Sequence, residues 1–265
     1  MKNNTQNYLS DMAQKIEPYL WDFGEKNELR FNSNTLPYPP KSIKKFLKEM
    51  ANDCPINEYA DPGYTDLKKL LATYENVTGE NITITNSGDE AIDVLAKTFL
   101  NAGDLFITTP PTYEVFSLQA EINRGINLSI PLEQPNFTVN AEKIIREAKN
   151  KKVKMIFLCN PNNPTGTIIP VEIIEKIVRE VNCIVIVDEA YREFYGKTSV
   201  PLIKKYDNFV VLRSLSKFAA LAGARIGYLV TNPFLSQKFD GIRFPMGVSY
   251  LSYKLAEIVL QNDQK

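Results

Sequence analysis

The 265-residue chain contains no histidine. That absence removes Ser/His/Asp and Cys/His relays, the HExxH metalloprotease signature and most zinc sites together, because each needs an imidazole as base or ligand. Proton transfer must therefore use lysine, tyrosine, a carboxylate or a bound group. A net charge is lacking too. The 31 basic residues balance 31 acidic ones, so no overall field draws the chain to nucleic acid or an anionic membrane. Cysteine is scarce: Cys54, Cys159 and Cys183 form no CxxC pair and read as reduced, small buried side chains, with no disulfide frame and no metal site. No apolar run reaches the ~20 residues of a membrane span, and the start MKNNTQNYLSD has no signal-type core. The expected location is the cytoplasm. Internal repeats and a GxGxxG fingerprint are absent, and Gly196-Lys197-Thr198 is not a phosphate loop, since Tyr191 stands where the Walker pattern needs glycine.

What the sequence does contain is alternation. Short Ile/Val/Leu-rich runs at 81–85, 104–108, 126–130, 153–159, 183–187, 209–213 and 226–230 predict seven strands. Between and around them, helical patterns lie near 41–51, 64–75, 88–100, 113–123, 139–149, 170–181 and 247–261. Unalternating runs such as CIVIV fit strands buried on both faces, so the expected architecture is α/β, a mostly parallel central sheet with helices on both faces. Residues 1–30 are expected to start as an amphipathic helix (Tyr8, Met12, Ile16, Leu20), and FNSNTLPYPP at 31–40 as an extended, proline-broken segment. Ligands of such sheets bind beyond the carboxyl ends of the strands. The distinctive polar stretches follow those runs: SGDE after NITIT, PPTY after LFIT, NPNNPTG after IFLC, DEAY after CIVIV, and SLSK after VVLR.

Within LRSLSKFAALAGARIGYLV, Lys217 and Arg225 stand in a stretch otherwise suited to burial. A buried ammonium is costly unless paired or neutralised, and a lysine that loses its proton becomes a nucleophile. In this order and spacing the motifs resemble the fold-type I pyridoxal-phosphate enzymes of aminotransferase class I/II, and most of all their histidinol-phosphate aminotransferase branch. The resemblance runs from about residue 30 to the end. It implies that Lys217 is the Schiff-base lysine, which carries a proton between the substrate Cα and the cofactor C4′. It implies that Arg225, Ser214 and Ser216 hold the phosphate of pyridoxal 5′-phosphate, with Ser87, Gly88 and Asp89 adding main-chain donors at a helix start. Asp188 would pair with the protonated ring nitrogen, Tyr191 and Asn163 would bind the phenolic oxygen, and Tyr113 would stack on the ring. Tyr59 of EYADPG matches the tyrosine that reaches the neighbouring subunit's phosphate in a homodimer, although Ala60 replaces the usual proline. Asn32 and Asn34 match a substrate-covering segment in which Thr35 and Leu36 depart from the family pattern.

The expected function is transamination of histidinol phosphate with 2-oxoglutarate, a small-molecule amino donor and a 2-oxo acid, giving imidazole-acetol phosphate and glutamate in histidine biosynthesis. A threonine-phosphate decarboxylase-like lyase and a cofactor-binding chain with little activity are the alternatives. The expected organisation is an N-terminal helix and covering segment over 1–40, a cofactor-binding large domain over 41–240, and the start of an interdomain helix over 241–265. The family's small domain, with its substrate-carboxylate arginine, is expected to be missing. Arg30, Arg243 or the neighbouring subunit would then have to supply that cation. An apolar face of the last helix (Val248, Leu251, Leu255, Ile258) is expected to be exposed.

Overall fold

The computed structural model describes residues 5–18, 32–51 and 54–262. It divides into two compact units, Met1–Asn34 and Thr35–Lys265. In the first, the expected amphipathic helix does not form among the described residues. A 3-10 turn at Thr5–Tyr8 is followed by turns closed by Gln14 N–H to Ser10 O and Ile16 N–H to Met12 O, and Tyr8 is 88% exposed. Pro18 disfavours helical backbone at Glu17, and a segment this short gains little without an apolar surface to pack on. Leu20 and Arg30 lie outside the described residues.

In the second unit all seven expected strands form: β1 (Ile82–Thr85), β2 (Leu105–Thr108), β3 (Ile126–Ser129), β4 (Met155–Cys159), β5 (Ile184–Asp188), β6 (Phe209–Ser214) and β7 (Gly227–Val230). They make one sheet in the order β1-β7-β6-β5-β4-β2-β3, parallel except that β7 runs antiparallel to both neighbours. The helices are α1 (Lys41–Met50), α2 (Thr65–Glu75), α3 (Ser87–Phe99), α4 (Val115–Ile122), α5 (Ala141–Lys151), α6 (Val171–Glu180), α7 (Arg192–Tyr195), α8 (Pro233–Ile242) and α9 (Tyr250–Asn262).

Successive strand side chains enter two separate cores, as the period of two requires. Ile156 and Leu158, Val185 and Val187, and Phe209 and Val211 face a core shared with α2, α5, α6 and α9. Met155, Phe157, Ile186, Val210 and Leu212 face another built on α3, α4 and α8. Apolar runs without alternation arise because both faces of the sheet are covered. The last helix departs from expectation. It packs against α1 and α2, Val248 is buried, and Leu251, Leu255 and Ile258 are half-buried, so no fully exposed apolar face remains there.

Candidate active site

Two antiparallel pairings put β1 and β6 in the same direction, so the carboxyl ends of β1, β2, β4, β5 and β6 meet at one edge of the sheet. Gly227 opens β7 there, opposite Thr85 on one side and Ser214 on the other. A Cβ on Gly227 would lie 2.4 Å from the Ser87 carbonyl carbon and 2.6 Å from Gly88 N. Only glycine lets the first turn of α3 sit against β7, which carries the amide end of α3 to Ser214 and Arg225. Ser87 enters this turn at φ 80° and is buried, and its hydroxyl accepts Asp89 N–H at 3.2 Å.

A main-chain role is expected of Asp89, but it is the side chain that makes the contacts here. Its carboxylate accepts from Tyr113 Oη at 2.8 Å and pairs with Arg225 Nη2 at 2.5 Å, joining the two side chains. Tyr113 is fixed from behind by Phe116, edge to face at 5.6 Å. Asn162 ties the NPNNPTG loop to PPTY, donating to Pro111 O at 2.9 Å and accepting from Thr112 Oγ1 at 2.8 Å. This brings the half-buried Asn163 and Tyr113 to the same edge.

Beyond β6, Ser214 and Ser216 are buried, and Ser216 N–H donates to Ser214 Oγ at 3.2 Å. Lys217 follows, its Nζ 5.8 Å from the Tyr191 ring centre. Burial lowers the Lys217 ammonium from its usual range and Arg225 adds to this, while Asp89 and Asp188 oppose it. Asp188 ends β5, 6% exposed, and its Oδ1 accepts Ala190 N–H at 2.9 Å. Burial pushes its carboxyl from 3.8 up to about 7; Asp89 and Glu189 add to the rise, while the Ala190 N–H and Arg213 oppose it.

The edge thus has two unlike ends. One offers N–H groups at a helix start, two hydroxyls and a guanidinium, the donor set for a phosphate. The other offers a buried carboxylate, suited to a protonated ring nitrogen, with a half-buried lysine near both. The residues present fit pyridoxal phosphate. Ser87, Gly88, Asp89, Tyr113, Asn163, Asp188, Tyr191, Ser214, Ser216, Lys217 and Arg225 all fall in these segments. Tyr59 does not join them: it is 85% exposed. Asn32 and Asn34 belong to the N-terminal unit, where both are exposed. Arg243 is a structural cation, donating to Asp240, to Pro62 O at 2.8 Å and to Phe244 O.

Sequence reasoning missed a buried ionic group behind the site. Arg213, 1% exposed, pairs with Glu75 and Glu193 and lies 3.8 Å from Glu189. The available signal was an arginine inside the apolar run VVLRS.

Known proteins agree with this geometry. Residues 25–265 match the family model for aminotransferase class I and II. The histidinol-phosphate aminotransferase of Clostridium novyi is 37% identical over 240 residues, 90% of this chain and 67% of that protein. The crystal structure of histidinol-phosphate aminotransferase from Sinorhizobium meliloti in complex with pyridoxal-5′-phosphate superposes with a TM-score of 0.78 at 26% identity, over 85% of this chain and 61% of that one. The L-threonine-O-3-phosphate decarboxylase of Porphyromonas gingivalis, at 22% identity and TM-score 0.74 over 88% of this chain and 72% of that one, shares the fold. The chain spans about two thirds of the length of the curated relatives it matches. With the motifs in order along the sequence, their side chains gathered at one sheet edge and the family model matched over most of its length, this chain belongs to the class I and II aminotransferases.

Proposed function

We propose that this chain carries the cofactor-binding machinery of a pyridoxal-phosphate-dependent aminotransferase that moves the amino group of histidinol phosphate to 2-oxoglutarate. The observation that carries the reading is Lys217, an amine whose pKa burial lowers, set between a buried carboxylate and an anion cradle. Bound there, pyridoxal phosphate would supply a carbonyl carbon for amine exchange and a ring that withdraws electrons. Ser214, Ser216, Arg225 and the N–H groups at the start of α3 would hold its phosphate. Asp188, ionised, would hold the protonated ring nitrogen, and Tyr191 and Asn163 would bind the phenolic oxygen. Tyr113 covers the ring face and limits access of water. Lys217 Nζ, once unprotonated, would be the base placed to take a proton from the donor Cα. The curated relatives support the choice of donor.

The exposed Tyr59 ring supports a homodimer in which it reaches a neighbouring phosphate site. Asn32 and Asn34 are assigned to the substrate, and the organisation proposed is a covering segment over 1–40, a large domain over 41–240 and an interdomain helix from 241. The location proposed is the cytoplasm. Among the described residues no helix is long and apolar enough to cross a membrane.

The test is chemical trapping. After incubation with pyridoxal phosphate and borohydride reduction, peptide mapping should find the label on Lys217, and Lys217→Ala should bind the cofactor without covalent label. A label on another lysine refutes the assignment. Transfer from histidinol phosphate to 2-oxoglutarate supports the activity, whereas carbon dioxide release from threonine phosphate without transfer would replace it by decarboxylation.

A further inference from the structure

β6 is buried over its whole length, yet its fifth residue is charged. Each edge of the Arg213 guanidinium is engaged. Nε donates to Glu75 Oε1 at 2.8 Å, Nη2 to Glu193 Oε1, and Nη1 to the main-chain oxygen of Glu189 at 2.8 Å. Tyr228 Oη donates to the same Glu75 oxygen at 2.6 Å and Tyr74 Oη to Glu193 Oε1 at 2.8 Å. The Glu189 carboxylate is held elsewhere, by Thr198 Oγ1 and by Ser199 N–H and Oγ, each at 2.6 Å.

Buried ion pairs of this kind add little net stability, because desolvation offsets their attraction, and apolar replacements often do as well. A positional role accounts for the cluster better. The peptide joining Glu189 to Ala190 is gripped at both ends: its C=O receives the Arg213 proton at 2.8 Å, and its N–H is accepted by Asp188 Oδ1 at 2.9 Å. Hydrogen bonds in such a chain polarise one another. The guanidinium therefore fixes the orientation of the amide that binds Asp188 and strengthens its donor end. Glu75 and Glu193 draw on the same guanidinium, Oε2 of each is buried with no hydrogen-bond partner, and with Arg192 3.6 Å from Glu193 the cluster sets three carboxylates, Glu189 included, against two guanidiniums.

We propose that Arg213 is a positioning residue for Asp188, acting through the Glu189–Ala190 peptide, and that Glu75 and Glu193 moderate its effect. The role in the reaction rests on the function proposed above, but the coupling of Arg213 to Asp188 does not.

The experiment measures dissociation constants for pyridoxal phosphate and for inorganic phosphate in wild type, Arg213→Lys and Glu193→Gln, each with Asp188 and with Asp188→Asn. Lysine keeps the charge but cannot serve three acceptors in one plane. Arg213→Lys should weaken pyridoxal phosphate by about tenfold, the effect of one pH unit in the partner carboxyl. Glu193→Gln keeps the Tyr74 and Arg213 contacts, removes a competing charge, and should bind it as tightly or tighter. Neither should alter inorganic phosphate, which reads only the phosphate end, and both effects should vanish in the Asp188→Asn background. Equal weakening of both ligands, or effects that persist in the Asp188→Asn background, overturns the proposal. If Arg213→Lys does not fold, the Glu193→Gln pair decides: any effect on pyridoxal phosphate must depend on Asp188, and weaker binding refutes the idea. A cofactor-free measurement separates this from the function. The melting-temperature gain of Asp188→Asn at pH 8.5 should be larger in Arg213→Lys than in wild type. If that holds while pyridoxal phosphate does not bind, the functional reading fails and the coupling stands; an unchanged gain sinks the coupling.

Discussion

Replacing Asp188 by asparagine should stabilise the ligand-free protein, and should do so only at neutral and alkaline pH. The carboxyl lies at the buried end of β5, where burial raises it from 3.8 to about 7. Below about pH 4 the folded and unfolded chains both carry it neutral and no difference arises. Between about 4 and 7 the unfolded chain has lost the proton that the folded chain keeps, so the folded state binds more protons and stability falls as pH rises. Above 7 both are ionised and the full cost is present. A rise of about three pH units corresponds to about 4 kcal/mol, an upper bound for the gain available to a neutral side chain. Asparagine keeps an oxygen to accept Ala190 N–H, now at 2.9 Å, and so removes charge with little change of shape.

Thermal unfolding of wild type and Asp188→Asn at pH 4.5 and 8.5 isolates this group and those coupled to it, Asp89, Glu189 and Lys217, since titrations elsewhere cancel in the difference. One kcal/mol moves the melting temperature by roughly 2–4 °C for a chain this long, so the gain of the variant should be about fourfold larger at pH 8.5 than at 4.5, where the linkage amounts to only about 1 kcal/mol. Pyridoxal phosphate should then reverse the order: a ligand that binds only the folded state stabilises in proportion to the logarithm of its affinity, and wild type should gain more than the variant. Parallel pH profiles for the two proteins, or a variant less stable at pH 8.5, would refute the claim that Asp188 is a buried charge held for a ligand.

Gly227→Ala forces a methyl group to within 2.4 Å of the Ser87 main chain; denaturant unfolding should show a loss of about 3 kcal/mol or more, and a loss below about 1 would mean that the approach of α3 to β7 is not tight. Asp89→Asn leaves Arg225 without its carboxylate partner, so inorganic phosphate should bind severalfold more tightly at low salt, with the gain shrinking at high salt; titration calorimetry showing unchanged or weaker binding at both would refute the pairing.

How much is legible in the sequence depends on the range of the interaction involved. The seven strands can be read because burial on both faces leaves unalternating apolar runs, and β4, β5 and β6 each show that composition within their own short span. Most polar residues of the site can be read because they follow a strand within a few positions; Arg225 instead precedes β7. Helix α8 escapes the periodicity although Asn232 caps it, accepting Leu235 N–H at 2.9 Å, and Pro233 opens it; the start signal is present, but Gly241 interrupts the apolar pattern behind it. The N-terminal helix is expected from periodicity alone, which cannot tell whether a surface exists for the apolar stripe to pack on.

Arg213 marks the real limit. Its partners Glu75 and Glu193 lie 138 and 20 positions away along the chain, and nothing local in VVLRS or in LATYEN ties them together. Yet the strand pattern does hold a warning. A sheet covered on both faces has room for a charge only where something compensates it, and β5 and β6 each carry one charge in their last two positions, Asp188 and Arg213. Asp188 reads as functional because a family motif surrounds it. Arg213 raises the same question on physical grounds, since a guanidinium buried one residue before Ser214 must be paired, and the pairing reaches Asp188 through the main chain just past the neighbouring strand.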